Sequence, residues 1–126
     1  MVTGGASGIG QALARRFVTE GAEAVIIADL NGDAVSAVAT EIGAQAFAVD
    51  VRDESAIAAM VAAVEAEFGR IDLFCSNAGI LGVDGAPWWA TGAENDLWQR
   101  MWEIHVMSHV YAARACLPAM IERGEG

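Results

Sequence analysis

The amino-acid sequence predicts an α/β fold in which a doubly wound parallel β-sheet carries helices on both faces. Short apolar runs typical of buried strands alternate with segments of helical periodicity, and this alternation repeats four times within 126 residues. The connections have helical length, which favours parallel strands joined by right-handed crossovers. A chain of this size forms one domain with a core of its own.

The first half of the chain begins with a glycine-rich turn that leads directly into a helix predicted from Gly8 to Glu20. The apolar residues of this helix recur every four positions and share one face: Ile9, Leu13 and Phe17. Residues 22–30 form a near-continuous apolar run, as in a strand buried on both faces, with Asp29 at its end. Residues 34–42 are alanine-rich and predict a second helix that Gly43 terminates.

The second half repeats the pattern with two strands and two helices. Residues 44–51 predict a strand, after which Asp53 can cap a helix that keeps its apolar spacing as far as Gly69. Residues 71–76 predict a further strand, which is the fourth when the remnant before the glycine turn is counted as the first. A loop rich in Gly, Pro and Trp then runs to Thr91, which has capping-box spacing with Glu94. A long helix follows over residues 95–123, interrupted only by Pro118.

Composition excludes several classes of partner. The seven basic residues are all arginine and face 17 acidic residues, so the net charge of −10 would repel nucleic acid and anionic lipid. No apolar run has the length of a membrane span, and no signal peptide is recognisable, so we expect a cytoplasmic protein that inserts in no membrane. Cys75 and Cys116 lack metal or redox spacing and are expected to be buried, reduced thiols.

The turn Thr3-Gly4-Gly5-Ala6-Ser7-Gly8-Ile9-Gly10 lies between a strand remnant and a helix. Its backbone N–H groups would therefore face outward at a helix N-terminus, an arrangement that attracts a phosphate. Glycine matters here because a side chain would keep a pyrophosphate away from the main chain. The spacing is that of neither the common G-x-G-x-x-G fingerprint nor a Walker loop, and a purely structural turn remains the alternative.

Asp29 is a second candidate residue for binding the same ligand as the glycine turn. It lies about 20 residues after the glycines at a strand end, where a carboxylate can accept hydrogen bonds from the adenosine ribose. Ser7 and Leu30, where a basic residue would serve a 2′-phosphate, are both neutral, so we expect NAD to be preferred over NADP. The alternative for Asp29 is a helix cap or a turn residue.

Together these residues closely resemble the short-chain dehydrogenase/reductase family, whose phosphate turn Thr-Gly-x-x-x-Gly-x-Gly is matched at residues 3–10. Asp50-Val51 falls where that family places an acid and an apolar residue against the adenine, and Asn77-Ala78-Gly79 matches its Asn-Ala-Gly motif. The resemblance covers the whole chain but only the first half of the family. It implies a Rossmann-type domain over residues 1–126 and an NAD-dependent oxidoreductase acting on a small alcohol or carbonyl substrate. The implied cofactor-binding residues are Gly4, Ser7, Gly8, Ile9, Gly10, Asp29, Leu30, Asp50, Val51, Asn77, Ala78 and Gly79.

The catalytic residues of that family are not matched. His105 stands at the position of the family's catalytic Asn, and the family's Ser and Tyr-x-x-x-Lys would lie beyond Gly126. Tyr111 is the only tyrosine, with Ala115 in place of the lysine. Only two residues precede the glycine turn, whereas a central strand has about five or six. We therefore expect a fragment of a longer reading frame, truncated at both ends, whose shortened first strand would leave the second and fourth strands unable to pair.

Three weaker candidates complete the sequence analysis. His105 and His109 are one helical turn apart, but Val106 replaces the glutamate of H-E-x-x-H, so we expect no metal site. Four tryptophans could line a substrate pocket, although packing is the favoured interpretation: Trp88, Trp89, Trp98 and Trp102. The helix over residues 95–123 is apolar on two sides, which predicts a homo-oligomer. A non-catalytic NAD-binding module remains the alternative to an enzyme.

Overall fold

The computed structural model describes residues 1–82 and 92–126, and it confirms the predicted α/β class. In these two ranges, three parallel strands and five α-helices follow one another in the expected order, with one π-helical stretch between the last two helices. The elements are β1 (Val2–Thr3), α1 (Gly8–Thr19), β2 (Ile26–Asp29), α2 (Gly32–Ile42), β3 (Gln45–Ala48), α3 (Glu54–Phe68), α4 (Asn95–Trp102), the π-helical residues Glu103–Met107 and α5 (Ser108–Arg123).

The sheet has the order β1-β2-β3, with β2 paired in parallel to both neighbours. Alternate residues of β2 enter two separate hydrophobic clusters. Ile26 and Ala28 belong to the cluster built with α3 and α5, and Ile27 belongs to the cluster built with α1 and α2. Helices therefore cover both faces of the sheet, as predicted for a doubly wound arrangement.

Helix ends follow the predicted local signals. The Asp53 carboxylate accepts hydrogen bonds from the N–H groups of Ser55 and Ala56 at 2.8 and 3.2 Å, which confirms its predicted capping role. Gly43 ends α2 in a left-handed conformation with φ of 73°. Only glycine adopts that conformation at low cost, which explains the predicted helix stop.

The predicted strand over residues 71–76 is the main departure. Among the described residues it forms only a single parallel bridge, between Cys75 and Val2. β1 has only two residues, and on this side only Val2 is bridged, so no ladder forms. The shortened first strand is expected to leave the second and fourth strands unable to pair, but β1 still pairs with β2 on one side, and the Thr3 N–H donates to the Cys75 carbonyl on the other at 3.0 Å.

A groove opens below this short central strand, at the amino ends of the strands. It has a volume of about 390 Å³ and lies between residues 22–26 on one side and residues 70–73 on the other. Met1 closes one end, and its ammonium group donates to the Leu73 carbonyl at 2.7 Å. The groove is thus in line with β1 and at the opposite end of the sheet from the glycine turn.

The long helix over residues 95–123 is continuous but differs in detail from the prediction. Pro118 does not interrupt it, since α5 runs from Ser108 to Arg123. One missing N–H is tolerated because α5 is packed against α3, with Ala112 and Cys116 buried. The irregularity lies at the π-helical residues Glu103–Met107 instead. The helix begins at Asn95 after Glu94, and the predicted cap Thr91 lies outside the described residues.

Two of the four tryptophans lie within the described residues, and both are on α4. Trp88 and Trp89 lie outside the described residues, whereas Trp98 and Trp102 are 54% and 55% exposed on α4. The opposite side of the helix is buried through Leu97 and Ile104. None of the helices in residues 1–82 and 92–126 combines the length and the apolar character needed to cross a bilayer.

Candidate functional site

The glycine turn ends in unsatisfied backbone donors. Within the described part of the chain, the N–H groups of Ser7, Gly8, Ile9 and Gly10 donate to no acceptor, and the first intrahelical bond is from Gln11 to the Ser7 carbonyl. The first turn of α1 carries no acidic side chain, so the positive end of the helix dipole is not neutralised. This arrangement can bind an anionic group such as a phosphate.

Each glycine in the turn meets a different requirement. Gly4 and Gly8 have φ values of 68° and 53°, which other residues adopt only at a cost. A Cβ on Gly10 would overlap the Gly4 carbonyl oxygen and lie 2.7 Å from Asn77 Nδ2, so the helix start packs directly on the turn. A Cβ on Gly8 would meet nothing within 4 Å. The space over Gly8 is therefore open to a ligand.

Asp29 connects the end of β2 to this turn. Its Oδ2 accepts a hydrogen bond from the Ala6 N–H at 3.1 Å, and its Oδ1 accepts one from the Asn31 N–H at 3.1 Å. Of the two structural alternatives for Asp29, a turn residue and a helix cap, the structure shows the turn residue. The cap of α2 is Asn31, whose side chain accepts a hydrogen bond from the Ala34 N–H. Each carboxylate oxygen keeps a lone pair, which is sufficient to accept a ribose hydroxyl.

A buried hydroxyl fixes the Asn77-Ala78-Gly79 segment against the glycine turn. Thr3 is 2% exposed, and its Oγ1 accepts from the N–H groups of Asn77 and Ala78 at 3.0 and 3.1 Å. The Asn77 side chain donates from Nδ2 to the Thr3 carbonyl at 3.0 Å. Asn77 thus holds two strand ends together from behind the site. Thr3 was recognised only as part of the turn motif, and its central role needed the structure.

Asp50 is paired with an arginine that the sequence analysis did not select. Arg52 donates from Nε to both Asp50 oxygens at 3.0 Å and from Nη2 to Oδ2 at 2.6 Å. The Arg52 N–H also donates to Asp50 Oδ1 at 3.0 Å. Hydrogen bonding to the Arg52 side chain lowers the pKa of the Asp50 carboxyl below its ordinary value, against a smaller opposing effect of burial. Asp50 is therefore ionised at neutral pH.

These elements enclose a cavity of about 720 Å³ at the carboxyl ends of the strands. Seven of the predicted cofactor residues line it: Gly4, Asp29, Leu30, Asp50, Val51, Ala78 and Gly79. Four others, Ser7, Gly8, Ile9 and Gly10, lie at the start of α1 outside its walls, and Asn77 lies behind it. The walls also include residues that the sequence analysis missed: Asn31, Val49, Arg52, Ile80, Leu81, Arg100 and Ile104.

Ile9 shows a limit of periodicity. It was predicted to share one face of α1 with Leu13 and Phe17, but its side chain is 74% exposed whereas the other two pack against the core. Because α1 begins at Gly8, Ile9 lies in the first turn of the helix, beside the open N–H donors of the glycine turn.

His105, the residue at the family's Asn position, contacts the loop after Asn77-Ala78-Gly79. Its Nε2 lies 2.9 Å from the Ile80 carbonyl oxygen and 3.2 Å from the Ile80 nitrogen. A Cβ on Gly79 would approach His105 Cε1 to 2.8 Å, so glycine permits this close packing. His105 lies in the π-helical residues Glu103–Met107.

The remaining candidates are Tyr111 with Ala115, a possible metal site and the two cysteines. Tyr111 and Ala115 are partly buried and pack against the core cluster. In the described ranges, no three His, Cys, Asp or Glu side chains are gathered so that they could hold a metal ion. Cys75 and Cys116 are both free thiols, the first half-buried and the second buried.

Comparison with known proteins identifies the family. The whole chain, residues 1–126, matches the short chain dehydrogenase family. A 1-deoxy-11-beta-hydroxypentalenate dehydrogenase of Streptomyces exfoliatus is 40% identical over 129 residues, which cover 98% of this chain and 46% of that protein. The chain spans about half the length of the curated relatives it matches.

Solved structures give the same answer. A metagenomic short-chain oxidoreductase in complex with NADP superposes with a TM-score of 0.89 at 32% identity, over 99% of this chain and 57% of that one. The 3-ketoacyl-(acyl-carrier-protein) reductase of Brucella melitensis, complexed with NADH, has a TM-score of 0.89 at 34% identity, over 97% of this chain and 50% of its own. With the Rossmann-type sheet, the glycine turn and the family match in agreement, the chain belongs to the short-chain dehydrogenase family of oxidoreductases.

Proposed function

We propose that residues 1–126 form the dinucleotide-binding half of an NAD-dependent short-chain dehydrogenase/reductase. The observation that carries this proposal is the combination of open N–H donors from Ser7 to Gly10 with the Asp29 carboxylate, which the Ala6 N–H holds beside them. The donors suit a pyrophosphate and the carboxylate suits the adenosine ribose. The cavity between Asp29 and Asp50 has room for the adenosine half of the cofactor.

The preference for NAD over NADP rests on the charge of Asp29 and on the neutral residues at the two positions beside it. A 2′-phosphate on the ribose would meet the Asp29 carboxylate. Its neighbour Leu30 is 71% exposed and neutral, and Ser7 is exposed and neutral. Neither side chain can offset the repulsion. We therefore expect the 2′-hydroxyl form of the cofactor to bind more tightly.

The reaction of the whole protein is a hydride transfer between the cofactor and a small alcohol or carbonyl substrate, as proposed from the family. The nicotinamide supplies or accepts the hydride when it is bound. The single tyrosine, Tyr111, packs against the core, and Ala115 follows four residues later, so residues 1–126 contain no Tyr-x-x-x-Lys pair. We place the acid/base residues beyond Gly126, and the neighbouring coding sequence tests this placement directly.

Isothermal titration calorimetry of the chain with NAD tests the binding proposal. Asp29→Asn keeps the size of the side chain and one acceptor oxygen but removes the charge, so NAD affinity should fall by about tenfold or more. The matched control is Asp33→Asn, which removes the same charge from an exposed position in the first turn of α2. The proposal is overturned if the wild-type chain gives no binding heat, or if the two variants bind NAD equally well.

We also propose that the helix pair over residues 95–123 packs against a second copy of the chain. Trp98, Trp102 and Ile121 are exposed apolar side chains on this pair, with exposures of 54%, 55% and 75%. Exposed apolar side chains grouped in this way are typical of surfaces that pack against another protein. Analytical ultracentrifugation should show a dimer or higher oligomer at micromolar concentration, and a Trp98→Glu, Trp102→Glu double variant should sediment as a monomer.

A further inference from the structure

One wall of the cavity at the carboxyl ends of the strands has a single tether. Gly79, Ile80 and Leu81 line the cavity but belong to no helix or strand. Within the described part of the chain, the only hydrogen-bond partner of residues 79–82 is His105, which contacts the main chain of Ile80. The Ile80 side chain packs against the core, whereas Leu81 is 92% exposed. The position of this main-chain segment therefore depends on His105.

The distances assign the direction of this hydrogen bond. His105 Nε2 lies 2.9 Å from the Ile80 carbonyl oxygen and 3.2 Å from the Ile80 nitrogen. One ring nitrogen cannot donate and accept at the same time, so only one of the two contacts is a hydrogen bond. We assign the shorter one, in which Nε2–H donates to the carbonyl oxygen. The imidazolium ring also carries this proton, so the bond persists when the ring is charged.

The imidazole ring also packs directly on the main chain of Gly79. A Cβ at position 79 would lie 2.8 Å from His105 Cε1 and 3.4 Å from Nδ1, so the ring occupies the space that a side chain would need. His105 lies in the π-helical residues Glu103–Met107, next to Ile104, which is buried and lines the cavity. The ring therefore stands between the helix and the wall, where it contacts two successive residues of that wall.

We propose that His105 is a positioning residue for the dinucleotide, which holds the main chain of Gly79 and Ile80 in place as a wall of the cavity. This inference rests on the proposed dinucleotide-binding function. His105 is not among the residues that line the cavity of about 720 Å³, so it acts through the wall and not by contact with the ligand. A wall that is already ordered loses less conformational freedom when a ligand binds, and the affinity is higher for that reason.

Calorimetry with NAD on three variants tests the role of His105. His105→Leu keeps a bulky side chain but removes the donor, so the Kd for NAD should rise by about fivefold, the size expected for one neutral hydrogen bond. His105→Gln supplies an amide N–H for the same carbonyl and should restore the Kd to within about twofold of the wild-type value. The matched control is His109→Leu, because His109 is exposed and lies outside the cavity walls, and its Kd should equal that of the wild type.

A second measurement examines the wall in the absence of NAD. Backbone order parameters from NMR relaxation should be about 0.85 for residues 79–82 of the wild-type chain, should fall in His105→Leu and should recover in His105→Gln. The inference is overturned if folded His105→Leu keeps the wild-type Kd, or if His109→Leu weakens binding equally. If the order parameters change as expected but the wild-type chain binds no NAD, the proposed function itself is wrong and His105 orders a wall that serves no dinucleotide.

Discussion

Replacement of Thr3 with valine would remove the hydroxyl that joins the glycine turn to the Asn77-Ala78 segment while keeping a side chain of the same shape. The N–H groups of Asn77 and Ala78 would then lose the one acceptor they have among the described residues, since both donate to Thr3 Oγ1. At about 1 kcal/mol for each partly buried donor, the loss is about 2 kcal/mol. The methyl group that replaces the hydroxyl recovers less than about 1 kcal/mol of burial. The net destabilisation should therefore be about 1–2 kcal/mol.

Thr3→Ser is the control, because it keeps the acceptor and loses one buried methyl, at a cost of about 0.8 kcal/mol. Urea denaturation gives the two stabilities, and amide hydrogen exchange at Asn77 and Ala78 separates the causes. Exchange at these two amides should be faster in the valine variant and unchanged, relative to global stability, in the serine variant. NAD affinity should also fall only for valine, because Ala78 lines the cavity proposed to hold the cofactor. Wild-type protection of both amides in the valine variant would refute this reasoning.

Three further results are expected. Gly10→Ala should abolish NAD binding and lower stability, because its Cβ would overlap the Gly4 carbonyl oxygen. Gly8→Ala meets no protein atom and should lower stability by only about 1–2 kcal/mol of backbone strain, but its methyl group would enter the open space over the turn and should also weaken NAD binding; calorimetry and urea denaturation compare the two variants. Leu30→Arg should raise NADP affinity by about tenfold, since it supplies the missing cation beside the ribose, and an unchanged NADP affinity would count against the adenosine placement. Burial raises the pKa of the Cys116 thiol to about 11, so iodoacetamide at pH 8 should modify it only on unfolding, and rapid labelling of the native chain in mass spectra would contradict this.

Helices proved easier to predict than strands in this chain. The helix over residues 54–68 combined a capping acid, a repeating apolar face and a terminal glycine, and each of these acts within a few residues. The predicted strand over residues 22–30 instead forms a ladder only from Ile26 to Asp29. A ladder needs a partner strand as well as an apolar run: β3 pairs with β2 only from Ile26 to Asp29, and β1 pairs only with Ile27 and Ala28.

The irregular part of the long helix could not be predicted for a related reason. Pro118 is the residue that local chemistry marks as an interruption, yet tertiary packing of α5 on α3 keeps the helix intact. The π-helical residues Glu103–Met107 carry no proline or glycine. Their conformation coincides with the contact between His105 and Ile80, which lies 25 residues earlier and has no local sequence signal.

The candidate site divides into residues that motifs identify and residues that only the fold brings in. The glycines and Asp29 were predicted because backbone conformation and strand ends limit which residues can serve there. Arg52 was missed although it lies two positions from Asp50, since a charged side chain after a strand is most often exposed. Arg100 was missed because no spacing rule connects a helix residue to a cavity whose other walls come from several earlier segments of the chain.

Different interactions hold the strands together at the two ends of the sheet. This difference determines how far the geometry of the site depends on the length of β1. At the carboxyl ends, side chains join the strands: Thr3 and Asn77 bond in both directions, and Asp29 accepts from Ala6. At the amino ends, only main-chain groups bond, from Met1 to Leu73 and from Cys75 to Met1, beside a groove of about 390 Å³. A ladder of two residues supplies little stability, so these side-chain bonds fix the residues proposed to bind the cofactor relative to one another. Residues that extend β1 through the groove would therefore add to stability and leave the geometry of the site unchanged.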